Sequence, residues 1–223
     1  MQEHRIPVIR TARYFTLGTF SGAVGEVWFV LHGYGQLAAR FLRSFEPLDD
    51  GSRMIVAPEA LSRFYVDGVA PPHQKVGATW MTREDRLTEI EDYVRYLDAV
   101  FTDVFRRVER GTRRVCVLGF SQGTATACRW LAQGSARADR LILWAGEVPP
   151  DLDLTAARDR LRDLDLTFVA GQRDGYITPK ILSREEERLR SAGIPYRIVT
   201  FDGGHEIDGT ALRGLAGPHN PGA

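Results

Sequence analysis

Short, nearly continuous apolar runs alternate with amphipathic stretches from one end of the chain to the other. Val27–Leu31, Met54–Ala57, Arg114–Leu118, Leu141–Trp144, Leu166–Ala170 and Tyr196–Phe201 read as strands. Runs apolar at almost every position are what strands covered on both faces require. Between them the spacing predicts helices at Gln36–Phe45, Arg83–Arg107, Gln122–Gln133, Ala156–Arg162 and Pro179–Ala192. The second carries Leu87, Ile90, Tyr93, Val94, Leu97, Val100, Phe101, Val104 and Phe105 at helical spacing, a core-facing stripe. The last opens with Thr178-Pro179, a cap followed by proline at the first helical position. Arg5–Leu17 is weakly patterned and is assigned one or two edge strands. Such alternation implies a mostly parallel sheet with helices on both faces. Ligands of such sheets bind outside the carboxyl ends of the strands, so reactive residues are expected just after strands.

One such position is Gly119-Phe120-Ser121-Gln122-Gly123, after the strand at 114–118 and at the start of a helical stretch. Strand, G-x-S-x-G and helix together make a nucleophile elbow, with Ser121 exposed above the sheet. A serine hydroxyl needs a base to remove its proton and a third group to hold that base. His205 follows the last strand within Asp202-Gly-Gly-His-Glu206, and Asp174 follows the strand at 166–170. The order Ser, Asp, His is the one this elbow motif uses. Asp202 and Asp208 are too near His205 in sequence, and Asp165 precedes its strand. Glu147, after Trp144, is the rival acid. His4 and His219 lie in terminal segments, His73 lies in a long loop, and His32 is read as a loop organiser. Leu31-His-Gly-Tyr-Gly-Gln36 follows another strand, and the amides of Tyr34 and Gln122 are the expected oxyanion donors. A glycine turn before a helix can also cradle phosphate, but the spacing here matches neither the dinucleotide nor the Walker pattern.

No repeat, low-complexity segment or linker interrupts the chain, so its 223 residues are taken as one domain, with 217–223 as a flexible tail. The one long irregular stretch, Pro58–Thr82, holds Phe64, Tyr65 and Trp80. It is either a wall of the substrate pocket or a surface excursion packed by its own aromatics. The 29 basic and 29 acidic residues cancel, which argues against a nucleic-acid groove or a polybasic membrane patch. The two cysteines, Cys116 and Cys128, read as buried apolar residues with neither metal nor disulfide spacing. No stretch has the character of a signal peptide or membrane span, so the expected location is cytoplasmic.

Together the motifs resemble the α/β-hydrolases of the phospholipase/carboxylesterase family, which includes acyl-protein thioesterases. The resemblance rests on His32-Gly-Tyr-Gly35, Gly119-Phe-Ser-Gln-Gly123, Gly171-Gln-Arg-Asp174 with Ile177 and Pro179, and Gly204-His205. It implies an α/β-hydrolase fold without a large cap domain. The sequence departs from the family at Thr124, around Trp80 and at Glu147, all near the pockets for acyl and leaving groups. The expected activity is hydrolysis of carboxylic esters, extending to thioesters or lysophospholipids, by Ser121, His205 and Asp174. No cofactor or metal is expected, the partner is a small ester, and the protein is a monomer or homodimer. Phe64, Tyr65, Trp80 and Glu147 are the expected pocket residues. The alternatives are a non-catalytic ligand-binding protein on the same scaffold, or cleavage of a lactone, peptide or other activated carbonyl.

Overall fold

The computed structural model describes residues 1–20, 24–68 and 74–217. His73, His219 and the tail from 218 lie outside them. Seven strands form one sheet in the order β1-β3-β2-β6-β7-β8-β9: β1 (Tyr14–Leu17), β2 (Glu26–Leu31), β3 (Arg53–Pro58), β6 (Arg114–Phe120), β7 (Arg140–Trp144), β8 (Asp165–Gly171) and β9 (Arg197–Phe201). β1 runs antiparallel to β3, and every other pair in this sheet is parallel. Of the weakly patterned Arg5–Leu17 segment, only its last four residues pair.

Side chains alternate across the sheet, as the two-residue period of a strand demands. In β2, Val27, Phe29 and Leu31 enter one core cluster, while Trp28 and Val30 enter the other. The first cluster is closed by α2 (Arg86–Arg107), α3 (Gln122–Gln133), α4 (Leu154–Leu161) and α5 (Pro179–Ala192), through Tyr93, Leu97, Trp130, Leu161 and Leu189. The second is closed by α1 (Ala38–Phe41), the turn that follows it and α6 (Gly209–Ala216), through Phe41, Phe45, Leu212 and Leu215. Both cysteines are buried and free, and burial pushes their thiols up to about 12. Among the described residues no helix is long and apolar enough to cross a membrane.

Three sequence expectations need correction. The helix expected over Gln36–Phe45 is α-helical only for Ala38–Phe41 and continues as a 3-10 helix over Leu42–Leu48. Pro47 lies within it, and a proline ring clashes with the carbonyl four residues earlier, so the tighter form takes over. The stretch Pro58–Thr82 is not wholly irregular. It carries β4 (Ser62–Tyr65) and β5 (Val76–Thr79), an antiparallel pair outside the main sheet. α6 was not foreseen, because Gly209 and Gly214 mask its pattern; Asp208 caps it by accepting from the Ala211 amide at 2.7 Å.

β2 lies between β3 and β6, so the chain turns to opposite sides of β2 on leaving it and on returning. α1 follows β2 onto one face, and α3 follows β6 onto the other. The crevice between the carboxyl ends of β2 and β6 is therefore the topological switch point, where such sheets place ligands.

The opposite rim is stapled by charge. Buried Arg140 at the start of β7 pairs with Asp165 at the start of β8 (3.0 Å), donates to the Leu215 carbonyl (2.9 Å) and lies over the Trp28 ring. Arg197 also reaches Asp165, at 3.2 Å. Replacing Arg140 by Met should destabilise the protein by about 3 kcal/mol, at the low end for breaking a buried pair because Arg197 still faces Asp165. Urea unfolding measures this, and an unchanged midpoint would show that the pair holds nothing.

Candidate active site

β6 ends at Phe120 and α3 begins at Gln122, so Ser121 alone makes the turn, at φ 54° and ψ −117°. A non-glycine residue in that region is strained and persists only where its surroundings enforce it. Glycines make the enforcement possible. A Cβ on Gly119 would collide with the Gly123 carbonyl, and one on Gly123 with the Leu31 carbonyl. Helix, elbow strand and β2 thus pack closer than any side chain permits. The Ser121 amide donates to Trp144 O (2.9 Å), fixing the elbow to β7.

The loops after β8 and β9 are bonded to each other. Gln172 N donates to Phe201 O and Arg173 N to Gly203 O, both at 2.9 Å. Trp144 Nε1 holds the second loop through Glu206 O at 2.8 Å. This brings Asp174 and His205 to the elbow. His205 Nε2 lies 3.0 Å from Ser121 Oγ, and Nδ1 lies 2.8 Å from Asp174 Oδ2. Asp174 Oδ1 accepts from the amides of Tyr176 (2.7 Å) and Ile177 (3.1 Å). Burial by itself would raise the Asp174 carboxyl, but those amides and His205 outweigh it and hold the carboxyl below its ordinary value. An ionised Asp174 only accepts, so Nδ1 carries the imidazole proton and the Nε2 lone pair faces the Ser121 hydroxyl. Tyr176 and Phe120 pack on the imidazole at 4.8 and 5.1 Å between ring centres.

The rival carboxylates are engaged elsewhere. Glu147 pairs with Arg184, Asp202 with Arg173, and Asp208 caps α6. Asp165 sits at the far rim.

In the loop after β2, Gly33 N donates to Gln36 Oε1 (2.8 Å) and Gly35 N to Ala78 O (2.9 Å). The amides of Tyr34 and Gln122 have no partner among the described residues. The hairpin β4–β5 braces this loop. Ala78 N returns a bond to Gln36 O (3.1 Å), and a Cβ on Gly77 would collide with the Gly35 carbonyl. The Gln122 side chain ties the hairpin to the elbow by accepting from Trp80 N (3.1 Å) and donating to Met81 O (2.8 Å). His32 is fully buried: Nε2 accepts from Ala60 N (3.1 Å), so Nδ1 donates to Gly33 O (2.8 Å). Burial lowers its pKa, leaving it a neutral organiser of the loop.

A cavity of about 630 Å³ opens over Ser121, lined among others by Tyr34, Met81, Thr124, Arg129, Glu147 and Tyr176. Of the expected pocket residues, Glu147 lines it. Phe64 packs on Tyr34 in a tilted contact, 5.2 Å between ring centres, rather than lining the cavity, and Tyr65 is exposed. Trp80 is buried behind the loop, donating Nε1 to His32 O at 2.8 Å and packing on His32 and Tyr93. Arg129, Met81 and Tyr176 were not singled out in the sequence. A lone arginine among the apolar residues of α3 was the available signal. The Thr124 hydroxyl bonds back to Ser121 O (2.7 Å) and ties α3 to the loop after β7 through Glu147 O (3.1 Å), filling the space beside Gly146. A second cleft of about 410 Å³ touches the other side of His205, beside Arg40, Glu206 and Ile207.

No protein-family model and no curated protein matches the sequence. Solved structures do resemble it in fold. The crystal structure of esterase PE8 aligns with TM-score 0.68 and 22% identity over 92% of this chain and 96% of its own. Acyl-protein thioesterase 2 of Zea mays aligns with TM-score 0.67 and 16% identity, over 92% and 96%. The carboxylesterase of Bacillus cereus gives 0.65 and 13%, over 92% and 91%. With the sheet order, the elbow and only a short connection between β7 and β8, these likenesses identify the architecture: the chain has the α/β-hydrolase fold, without a large cap.

Proposed function

We propose that this chain is a serine hydrolase of carboxylic esters, acting through an acyl-enzyme. The observation that carries the reading is the continuous hydrogen-bond path from Ser121 Oγ through His205 to Asp174, set beside two amides without a partner among the described residues. His205 Nε2 takes the Ser121 proton as Oγ attacks the carbonyl carbon. Asp174 keeps the imidazole in its tautomer and stabilises the imidazolium. Negative charge develops on the carbonyl oxygen, and the amides of Tyr34 and Gln122 are its donors. His205 then returns the proton to the leaving alcohol or thiol. Water, deprotonated by the same nitrogen, releases the acid. The chemistry needs side chains, amides and water only, and the second cleft beside His205 suits the departing group.

Ser121→Ala should abolish turnover of short aryl esters and covalent labelling by a fluorophosphonate, with the melting temperature little changed. Persistent labelling at another residue would refute the assignment. Asp174→Asn should lower kcat by about 10⁴-fold, because an amide in place of the carboxylate favours the wrong imidazole tautomer. Steady-state kinetics read this directly, and a loss under tenfold would remove Asp174 from the mechanism.

The donor role of Tyr34 depends on the braced loop. Gly77→Ala should force the hairpin away from Gly35 and misplace the Tyr34 amide. The expected cost in kcat is up to about 10²–10³-fold, the worth of one oxyanion donor. Full activity in a folded Gly77→Ala protein would show that the loop holds its shape without the hairpin.

A further inference from the structure

Arg129 is 3% exposed, yet it lines the cavity above Ser121. It lies on α3 one turn beyond Ala125, which lines the same cavity. A buried guanidinium ordinarily fills its five donors. This one does not. Among the described residues Nη2 reaches Asp151 Oδ1 at 2.6 Å, and Nη1 finds only the Met81 sulfur at 3.6 Å, a weak acceptor. Nε has only the neighbouring Tyr93 hydroxyl, which interacts with the guanidinium without an aligned hydrogen bond among the described residues.

The charge is also unbalanced. Asp151 is shared with Arg86, whose Nη1 lies 2.8 Å from Oδ2, so two guanidiniums face one carboxylate. Burial alone would raise the Asp151 carboxyl, but the two arginines hold it at about 2, so it cannot take up a proton to relieve a bound anion. Glu147, also on the cavity wall, is occupied by Arg184. The remaining lining near Arg129 is apolar: Met81, Ala125, Pro149 and Pro150. An apolar passage that starts at the nucleophile and reaches an incompletely satisfied cation is matched to an acyl chain ending in an anion.

We infer that the cavity over Ser121 selects esters whose acyl group carries a terminal carboxylate, held by Arg129. The inference rests on the hydrolase reading above and names its substrate class. The eight residues from Ser121 to Arg129 span about 12 Å of helix axis, and helical side chains lean back toward the N-terminus. The reach therefore suits a short dicarboxylic half-ester. The acyl portion is assigned to this cavity because Ser121 lines it, whereas the second cleft touches His205 without Ser121.

The test uses monoethyl succinate, glutarate and adipate, each beside its neutral isostere with an isopropyl group in place of the carboxylate. Each half-ester takes up one water and yields ethanol, the dicarboxylate and a proton, which a pH-stat records. The wild-type protein should favour at least one half-ester over its isostere by about tenfold or more in kcat/KM, the worth of one charge-assisted hydrogen bond. Arg129→Met should lower that ratio at least about tenfold. Because the ratio is taken on a single preparation, partial misfolding cancels. Ala125→Glu, which sets a carboxylate one turn before Arg129, should collapse the ratio as well and serves if the first variant does not fold. A wild-type ratio at or below unity overturns the inference, as does a ratio that survives both substitutions. A preference confined to esters bearing the carboxylate on the alcohol overturns the acyl assignment. Failure to cleave any ester, with no fluorophosphonate labelling of Ser121, defeats the hydrolase reading itself and takes this inference with it.

Discussion

The close approach of α3 to β2 and β6 is the constraint on which the rest of the site depends. Gly119 and Gly123 permit it, and Ser121 absorbs its geometric consequence as a positive φ. Strain at one residue is maintained by the sheet on one side and the helix on the other. With the hydroxyl fixed above the crevice, the other loops need only arrive within hydrogen-bond distance. Those after β8 and β9 do so as a bonded pair, so Asp174 and His205 share one support.

A second level of support surrounds the loop after β2. Its amides are distributed so that Gly33 and Gly35 are engaged and Tyr34 is not. The engagement comes from the Gln36 side chain and from a hairpin outside the main sheet, which the Gln122 side chain ties to the elbow, while the buried, neutral His32 links the Gly33 carbonyl to Ala60 N. In the role proposed for it, the Tyr34 amide must be held rigid beforehand, since reorganisation during a reaction would forfeit its advantage.

Much of this was legible in the sequence because it obeys local rules. The central strands are apolar runs with sharp ends, and Ser121, Asp174 and His205 each follow one of them. α5 announced itself by its cap and proline. What was hidden depends on non-local partners. β4 reads Ser-Arg-Phe-Tyr, with no apolar run, and pairs only because β5 and the loop after β2 lie beside it. α6 is masked by its glycines. Trp80 read as a pocket aromatic, yet its indole N–H is spent on the His32 carbonyl. Arg129 read as one polar residue in a helix, and its position over the cavity follows from how α3 crosses the sheet.

The ion pair of Arg140 and Asp165 sits at the rim opposite the elbow, with the length of the strands between them. The charged staple and the Ser121–His205–Asp174 path thus sit at separate ends of the same strands. A substitution at the charged end can therefore change stability while Ser121, His205 and Asp174 keep their spacing.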